Sequence, residues 1–254
     1  MIFYFTATGN SLAAAKHLAQ ATGDRIASVT DYTDVKKPRF DIPGGERVGL
    51  VFPVYYWGMP PIVSDFIKKL SAEDFAGKYV YVVVTMGGGC GDTIAQTAKA
   101  FQKIGIAVSA GFDVAMPENY VLMFRAPTRE KAAQELKFAA KRLDEIAGVI
   151  REKKKTALTT PVRRAKGLLG AVAQKYYLAH RKTKKFRLSG ACTHCGLCER
   201  ICPVGAIRLD KNGPVWHGDC LHCMGCINRC PVRVIEYGKA TAKHGRYVHP
   251  TAFR

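Results

Sequence analysis

The chain has 254 residues, of which 48% are hydrophobic and 23% charged, an ordinary composition for a soluble globular protein of one or two domains. This excludes a chain disordered throughout, and the longest apolar stretches, such as residues 79–86, are far shorter than the roughly 18–20 residues of a membrane-spanning helix. No signal-peptide pattern is present, so we expect a cytoplasmic protein whose formal net charge of +19 suits an acidic partner, nucleic acid or an anionic membrane surface.

The first 150 residues alternate between the patterns of strands and helices. Short apolar runs predict strands at residues 2–5, 25–29, 48–52, 79–85 and 107–114, and helical spacing predicts helices at 12–21, 62–70, 93–104 and 129–154. Such regular alternation predicts an α/β domain over residues 1–150, a doubly wound parallel sheet with helices on both faces. Ligands of these sheets bind beyond the carboxyl ends of the strands, so loops 6–11, 53–60, 85–92 and 115–120 are candidate sites.

The loop after the first strand leads directly into a helix. Its small side chains let backbone N–H groups converge, and its three hydroxyls and the helix N-terminus favour an anion such as phosphate. An ordinary capped turn is an equally good interpretation, since Asn10 and Ser11 are common N-cap residues. The residues of this loop are Thr6, Ala7, Thr8, Gly9, Asn10 and Ser11.

Two further loops have the composition of a site for a flat ring. Three consecutive aromatic residues after the third strand suit ring stacking, although Tyr55 or Trp57 could instead pack against the next helix. Four glycines after the fourth strand permit a ligand to approach the backbone closely, or form only a flexible turn. With the phosphate loop, they predict a pocket for flavin mononucleotide (FMN). The candidate residues are Pro53, Val54, Tyr55, Tyr56, Trp57 and Gly58 in one loop and Thr85, Met86, Gly87, Gly88, Gly89, Cys90 and Gly91 in the other.

The segment T-A-T-G-N-S at residues 6–11 resembles the phosphate loop of flavodoxins, T-x-T-G-N-[ST]. The resemblance covers about residues 1–150, because the other two loops resemble in position and type those that enclose the flavin ring. It implies that Thr6 to Ser11 hold the FMN phosphate and that Tyr55, Tyr56 or Trp57 stacks on the isoalloxazine ring. Residues 87–91 would lie along the polar edge of that ring. Within this range, Cys90 is more simply interpreted as a small loop residue than as a group that acts on the flavin.

A change in charge separates the two halves of the chain. Residues 151–190 hold 13 basic residues and one acidic residue, whereas residues 1–150 hold 17 and 15. We therefore expect a basic, helical connector over residues 151–187 and a second domain over residues 188–254. Residues 163–178 could form a basic amphipathic helix on a membrane surface, but packing of its apolar side between the domains is preferred. Nucleic acid is disfavoured because no recognised binding motif accompanies the charge.

Eight of the nine cysteines lie in the second domain, where the pattern C-x2-C-x2-C-x3-C-P occurs twice at an offset of 28 residues. Disulfides conflict with this spacing and with the missing secretory signal, and zinc sites usually use two C-x2-C pairs. Three close cysteines and one distant cysteine fit a [4Fe–4S] cluster whose fourth ligand comes from the other run. We assign Cys192, Cys195, Cys198 and Cys230 to one cluster and Cys220, Cys223, Cys226 and Cys202 to a second.

Residues 188–238 resemble a bacterial-type two-cluster ferredoxin, which implies a small α+β domain. A flavodoxin-like domain followed by such a ferredoxin resembles the EFR-type flavodoxin–ferredoxin fusions, found mostly in anaerobic microbes. That resemblance implies that residues 116–120 line the flavin site. His194 and His222 recur at matching positions in the two runs, and with four thiolates per cluster we expect them to be loop residues rather than ligands.

The function that we expect is transfer of single electrons between the clusters and FMN, because a flavin can hold one or two electrons. The partner would be an acidic redox protein such as a ferredoxin or a reductase, steered by the basic segment beside the clusters. No nicotinamide-binding motif is present, so direct use of NAD(P)H is not expected. Two alternatives stay open: an oxidoreductase in which FMN reduces a small molecule, and a redox sensor that binds membrane or nucleic acid.

Overall fold

The computed structural model describes residues 1–40, 42, 47–158 and 164–253, with residues 164–169 described by their backbone. Its first part is a five-stranded parallel sheet with the strand order β2-β1-β3-β4-β5. This order is that of flavodoxin-like sheets, in which ligands bind at the switch point between β1 and β3. The strands are β1 (Ile2–Tyr4), β2 (Ile26–Ser28), β3 (Arg47–Pro53), β4 (Tyr79–Met86) and β5 (Ala110–Ala115).

Helices cover both faces of this sheet, which confirms the predicted doubly wound fold. They are α1 (Asn10–Thr22), α2 (Pro61–Lys69), α3 (Thr93–Gln102) and α4 (Arg129–Arg151). Leu18 of α1 and Ile146 of α4 are buried on one face, and Phe66 of α2 and Phe101 of α3 are buried on the other. Between the two layers, β4 is buried from residue 79 to residue 85, which explains its unbroken apolar sequence. Residues 1–151 are called the sheet domain below.

Two predicted elements differ from the structure by three residues at one end. The fifth strand, predicted to start at residue 107, starts at Ala110, where its pairing with Tyr81 of β4 begins. The helix predicted to reach residue 154 ends at Arg151, because Lys153 adopts a left-handed φ of 52° that a right-handed helix does not accept.

The predicted connector helix is α5 (Arg164–His180), and Arg163, at its predicted start, lies outside the described residues. One narrow side of α5 faces the sheet domain: Tyr177 is buried, and Gln174 Nε2 donates a hydrogen bond to Met59 O. On the other side, Val172 and Tyr176 are exposed. The apolar residues of α5 are thus divided between the interior and the solvent, because only residues three or four apart share a helix face.

The cysteine domain, residues 186–253, contains two small antiparallel sheets and two short helices. Strand β6 (Phe186–Leu188) pairs with β9 (Ile235–Tyr237), and β7 (Ile207–Asp210) pairs with β8 (Gly213–Trp216). The helices α6 (Leu197–Arg200) and α7 (Gly225–Arg229) each begin inside a cysteine run. This is the small α+β arrangement that the sequence predicts, whereas the boundaries at residues 150 and 187 stay predictions. No helix in the described ranges has both the length and the hydropathy to cross a membrane.

Candidate functional site between the two domains

A cavity of about 600 Å³ lies where the sheet domain meets the cysteine domain. Its volume is within the range of small-molecule and cofactor sites. The carboxyl ends of β3 and β4, the loop after β5, helix α5 and the second cysteine run all contribute to its walls. The predicted flavin residues that line it are Asn10, Pro53, Val54, Tyr55, Tyr56, Trp57, Thr85, Met86, Gly87, Gly88 and Gly89.

The glycines of the predicted flavin loops have two different surroundings. A Cβ atom on Gly88 or Gly89 would meet nothing within 4 Å, so the backbone there is open to a ligand. A Cβ atom on Gly91 would lie 2.5 Å from Trp57 Cβ, so Gly91 allows protein to pack on protein instead. The predicted residues that do not line the cavity are Thr6, Ala7, Thr8, Gly9, Ser11, Gly58, Cys90 and Gly91, of which Cys90 is buried in the core.

The aromatic loop after β3 is a tight turn closed by reciprocal backbone hydrogen bonds between Tyr55 and Gly58. Tyr56 and Trp57 have φ values of 49° and 57°, which are uncommon for bulky residues and occur mostly at functional sites. Tyr56 stacks on Tyr177 with ring centroids 5.0 Å apart. Trp57 keeps 50% of its surface exposed, so it is the aromatic residue of this turn with the most room to stack on a bound ring.

The predicted phosphate loop is more enclosed than its sequence suggests. Thr8 Oγ1 accepts a hydrogen bond from Asn119, and the Ser11 hydroxyl is hydrogen-bonded to a hydroxyl of β4. Of the six loop residues, all within the described ranges, Asn10 alone lines the cavity. The Asn10 Oδ1 atom accepts a hydrogen bond of 3.0 Å from the Tyr247 hydroxyl. The Thr6 hydroxyl oxygen accepts a hydrogen bond of 3.1 Å from Gly9 N, so all three hydroxyls predicted to face phosphate already have protein partners.

The loop is covered by residues 247–253, called the strap below. A Cβ atom on Gly9, whose φ is 102°, would lie 2.7 Å from Ala252 Cβ. Lys16 Nζ, on α1, donates a hydrogen bond of 2.7 Å to Ala252 O. The strap carries no periodic or motif signal, and the sequence analysis did not find it.

The two cysteine runs repeat one backbone geometry. His194 and His222 have φ values of 54° and 48°. Their N–H groups donate hydrogen bonds to Cys192 Sγ at 3.4 Å and to Cys220 Sγ at 3.2 Å. Hydrogen bonds from the backbone to sulfur are a usual feature of iron–sulfur ligation and help to set the reduction potential. Both runs thus fit the sulfur-ligated clusters that their spacing predicts.

The second run and Cys202 share one environment. Burial raises the pKa of Cys220 to about 12 and that of Cys223 to about 11, and Cys202 adds to both increases. Burial also raises the pKa of Cys226 well above its ordinary value, again with a contribution from Cys202. Cys202 is therefore electrostatically coupled to all three of these cysteines.

In the first run, burial raises the pKa of Cys198, and Cys192 and Cys195 add to this. No disulfide joins the cysteines that the structure describes. In the described ranges, no three metal-ligating side chains converge closely enough to hold a metal ion directly. The two ligand sets, including the place of Cys230 in the first, stay predictions.

The second run faces the cavity, and the first does not. His222 and Cys223 line the cavity beside the aromatic loop, whereas His194 and Cys195 are exposed. The Tyr177 hydroxyl donates a hydrogen bond of 2.7 Å to Leu221 O and so links α5 to the second run. The sequence analysis did not find this contact. A comparison of the two runs at matching positions would have indicated it, because Leu221 and Ile227 of the second run correspond to Thr193 and Glu199 of the first.

Family models match both parts of the chain. A flavodoxin domain model matches residues 1–114, and a 4Fe-4S dicluster domain model matches residues 191–235. A search of the curated proteins gives no match.

Three solved structures show the range of similar folds. Two-electron reduced flavodoxin from Megasphaera elsdenii is 23% identical, with 55% of this chain and 96% of that chain covered and a TM-score of 0.33. An FMN-dependent NADH-azoreductase from Bacillus anthracis in complex with FMN is 12% identical, with 59% and 98% covered and a TM-score of 0.40. Rubredoxin oxygen:oxidoreductase from Desulfovibrio gigas is 15% identical, with 60% and 36% covered and a TM-score of 0.37.

A flavodoxin domain implies FMN, and a 4Fe-4S dicluster domain implies iron–sulfur clusters. Together they indicate redox chemistry that uses a flavin and iron–sulfur clusters. The order of the two matches agrees with the sheet domain and the cysteine domain of the structure. The chain therefore contains a flavodoxin domain followed by a 4Fe-4S dicluster domain, which is consistent with a flavodoxin–ferredoxin fusion.

Proposed function

We propose that this protein is an electron-transfer protein that binds one FMN and two [4Fe–4S] clusters. The bound groups would supply single-electron exchange at the clusters and one- or two-electron exchange at the flavin. The observation that carries the proposal is the shared cavity: Trp57, Gly88 and Cys223, from both predicted kinds of site, line it together. Because the flavin site and the cluster site would share a wall, electrons could pass between them without an additional electron carrier.

The chain's own residues would hold the flavin at three places. The N-terminus of α1 favours the phosphate, and Lys16 adds a positive charge on the same helix. Gly88 and Gly89 leave the backbone open beside the cavity, and Trp57 offers a ring face. The walls of the cavity are mostly apolar and aromatic, which limits the access of water to a bound ring.

The test is anaerobic purification followed by quantitation of iron, sulfide and flavin. We expect about eight irons and one FMN per chain, because each cluster contains four irons. Cys195→Ala and Cys223→Ala should each lose about half of the iron. Cys90→Ala is the matched control, because this cysteine is outside both predicted ligand sets and should keep all the iron. Zinc in place of iron, or a protein without flavin, would contradict the corresponding half of the proposal.

The partner that we propose is an acidic redox protein that docks on residues 181–187, called the basic run below. Lys182, Lys184, Lys185 and Arg187 of this run are exposed. At one end, the Cys220 N–H group donates a hydrogen bond to Arg181 O. The run continues into Leu188, which packs against Gly213 beside Cys192. A partner held by the basic run would therefore lie next to both cysteine runs.

Salt and charge reversal test the partner. The rate at which a reduced acidic ferredoxin reduces the holoprotein should fall as ionic strength rises, because salt screens the attraction. Lys184→Glu with Lys185→Glu should slow this reaction by about tenfold or more at low salt. Lys137→Glu with Lys141→Glu, on the exposed side of α4, is the matched control and should have little effect. Equal rates for both double variants would exclude the basic run as the docking surface.

One observation favours a second function, reduction of a small molecule by the bound flavin. Met123 and Phe124 line the cavity and are 56% and 51% exposed, which leaves an apolar mouth beside the predicted flavin site. Soluble quinones of increasing size are suitable probes for this function. Reoxidation that saturates with quinone concentration and weakens in Phe124→Ala would support it, whereas a linear dependence unaffected by Phe124→Ala would exclude it.

A further inference from the structure

The Tyr55 hydroxyl is buried and has no hydrogen-bond partner among the described residues. A buried hydroxyl without a partner costs on the order of 1–3 kcal/mol. A phenylalanine would fill the same space without that cost. The ring itself packs edge-on to Phe5 and to Tyr177, at centroid distances of 6.2 Å and 6.1 Å. The packing therefore accounts for the aromatic ring of Tyr55 but not for its hydroxyl group.

Tyr55 and the second cysteine run contribute to the same cavity. Tyr55 and Cys223 line the same cavity and pack against the same core cluster. Tyr177, which contacts the Tyr55 ring, donates its own hydroxyl to Leu221 O, between Cys220 and Cys223. Burial raises the pKa of Tyr55 well above its ordinary value, and the charge of Cys223 is the next largest contribution. The hydroxyl thus stays a proton donor and lies within electrostatic reach of Cys223.

A second hydrogen-bond donor also lies near a cysteine of the second run. The Trp216 Nε1 atom is buried and lacks a well-aligned partner among the described residues. It lies next to Cys226, whose pKa burial raises and the Trp216 N–H group partly lowers. Two donors from different domains, Tyr55 and Trp216, therefore lie near cysteines of the same run.

We propose that the Tyr55 hydroxyl donates a hydrogen bond to sulfur at the second-run cluster site, either the Cys223 thiolate or a cluster sulfide. This inference rests on the proposed function, because it needs a sulfur-ligated cluster at that site. Tyr55 is then a positioning residue that joins the predicted flavin loop to one cluster site. Cys195 of the first run is exposed, and the first run does not line the cavity that Tyr55 lines.

The consequence is a difference in reduction potential. A hydrogen bond to sulfur stabilises the more negative, reduced form of a cluster and so raises its potential. Tyr55→Phe should lower the potential of the second-run cluster and leave the first unchanged. Trp216→Phe should lower the same potential, because it removes the other donor.

The experiment is an anaerobic redox titration followed by electron paramagnetic resonance on the wild type, Tyr55→Phe and Tyr81→Phe. Tyr81 is the matched control, because its hydroxyl is also buried without a partner among the described residues but lies in the sheet core, away from the cavity. Cys195→Ser and Cys223→Ser identify which signal belongs to which run. A lower potential of the second-run cluster in Tyr55→Phe, unchanged in Tyr81→Phe, supports the inference.

The failure of this inference is distinguishable from failure of the proposed function. If Tyr55→Phe keeps about eight irons and one FMN and both potentials equal those of the wild type, the hydrogen bond is wrong and the proposed function stands. If the wild type binds no cluster at the second run, both are wrong. If Tyr55→Phe does not fold, Trp216→Phe is measured instead. An unchanged reduction potential of the second-run cluster in Trp216→Phe would contradict the inference that hydrogen-bond donors raise the potential at this site.

Discussion

The two cysteine runs are copies of one pattern in opposite surroundings. They share their spacing and the left-handed turn at His194 and His222, yet residues 193–195 of the first are exposed, whereas the second lines the cavity against the sheet domain. At matching positions, Glu199 of the first run corresponds to the fully buried Ile227 of the second. The cysteines and their turns thus determine what can be bound, and the residues between them determine which neighbour each run has.

The largest expected effect comes from Ile227, which is 0% exposed. Ile227→Ala should destabilise the holoprotein by about 2–5 kcal/mol, because it leaves a cavity in the core of the cysteine domain. At the matching position, Glu199→Ala removes a hydrogen bond of 3.2 Å from Leu209 N and should cost only about 0.5–1.5 kcal/mol. Denaturant unfolding under anaerobic conditions measures the free energy of unfolding of both variants. An equal decrease in the two variants would mean that the two runs are equally buried.

The next pair is Asn228 and Arg200. The Asn228 side chain donates to Asn119 O and accepts from Tyr247 N, both at 3.0 Å, so it connects the second run to the sheet domain and to the strap. Asn228→Ala should cost about 2–3 kcal/mol, because it leaves buried backbone groups unpaired. Arg200→Ala, on the exposed run, should cost less than about 1 kcal/mol. A larger loss for Arg200→Ala in thermal unfolding would contradict the comparison.

A smaller effect is expected at the link between the strap and the phosphate loop. Tyr247→Phe removes the hydrogen bond to Asn10 Oδ1 and should cost about 1 kcal/mol. Because Asn10 lines the cavity, we also expect FMN to dissociate faster, which the recovery of flavin fluorescence after dilution measures. Tyr79→Phe, which removes a hydrogen bond at Lys154 O, is a control for general loosening and should leave the flavin rate unchanged.

The smallest effect distinguishes the backbones of the two runs. Gly205 and Arg233 occupy matching positions with φ values of 60° and 55°. Arg233→Gly should stabilise the protein by up to about 1 kcal/mol, because glycine adopts this conformation without strain. Gly205→Arg should destabilise it by a similar amount. We expect the unfolding midpoints of the two variants to shift in opposite directions. A lower midpoint in both variants would show that the Arg233 side chain makes a stabilising contact.

The sequence predicts well what depends on local pattern. The buried strand β4 is apolar throughout, and the cysteine spacing repeats at an offset of 28 residues, so both can be found without a structure. Contacts between distant segments leave no such signal. Tyr247 and Asn10 are 237 positions apart, and nothing in either segment indicates the other. The strap, the enclosed phosphate loop and the contact of Tyr177 with the second run could therefore not be predicted from periodicity or motifs.

The strap also imposes an order of assembly on the protein. The predicted phosphate loop precedes the strap in the chain: Ala252, which closes over Gly9, follows 236 positions after Lys16. Domains generally fold in the order of their synthesis, so the sheet domain can form while its loop is still uncovered. A ligand that binds the loop during synthesis is enclosed when the strap arrives. We expect exchange of such a ligand to require the strap to detach, so that occupancy would depend on when the ligand binds as well as on the affinity of the site.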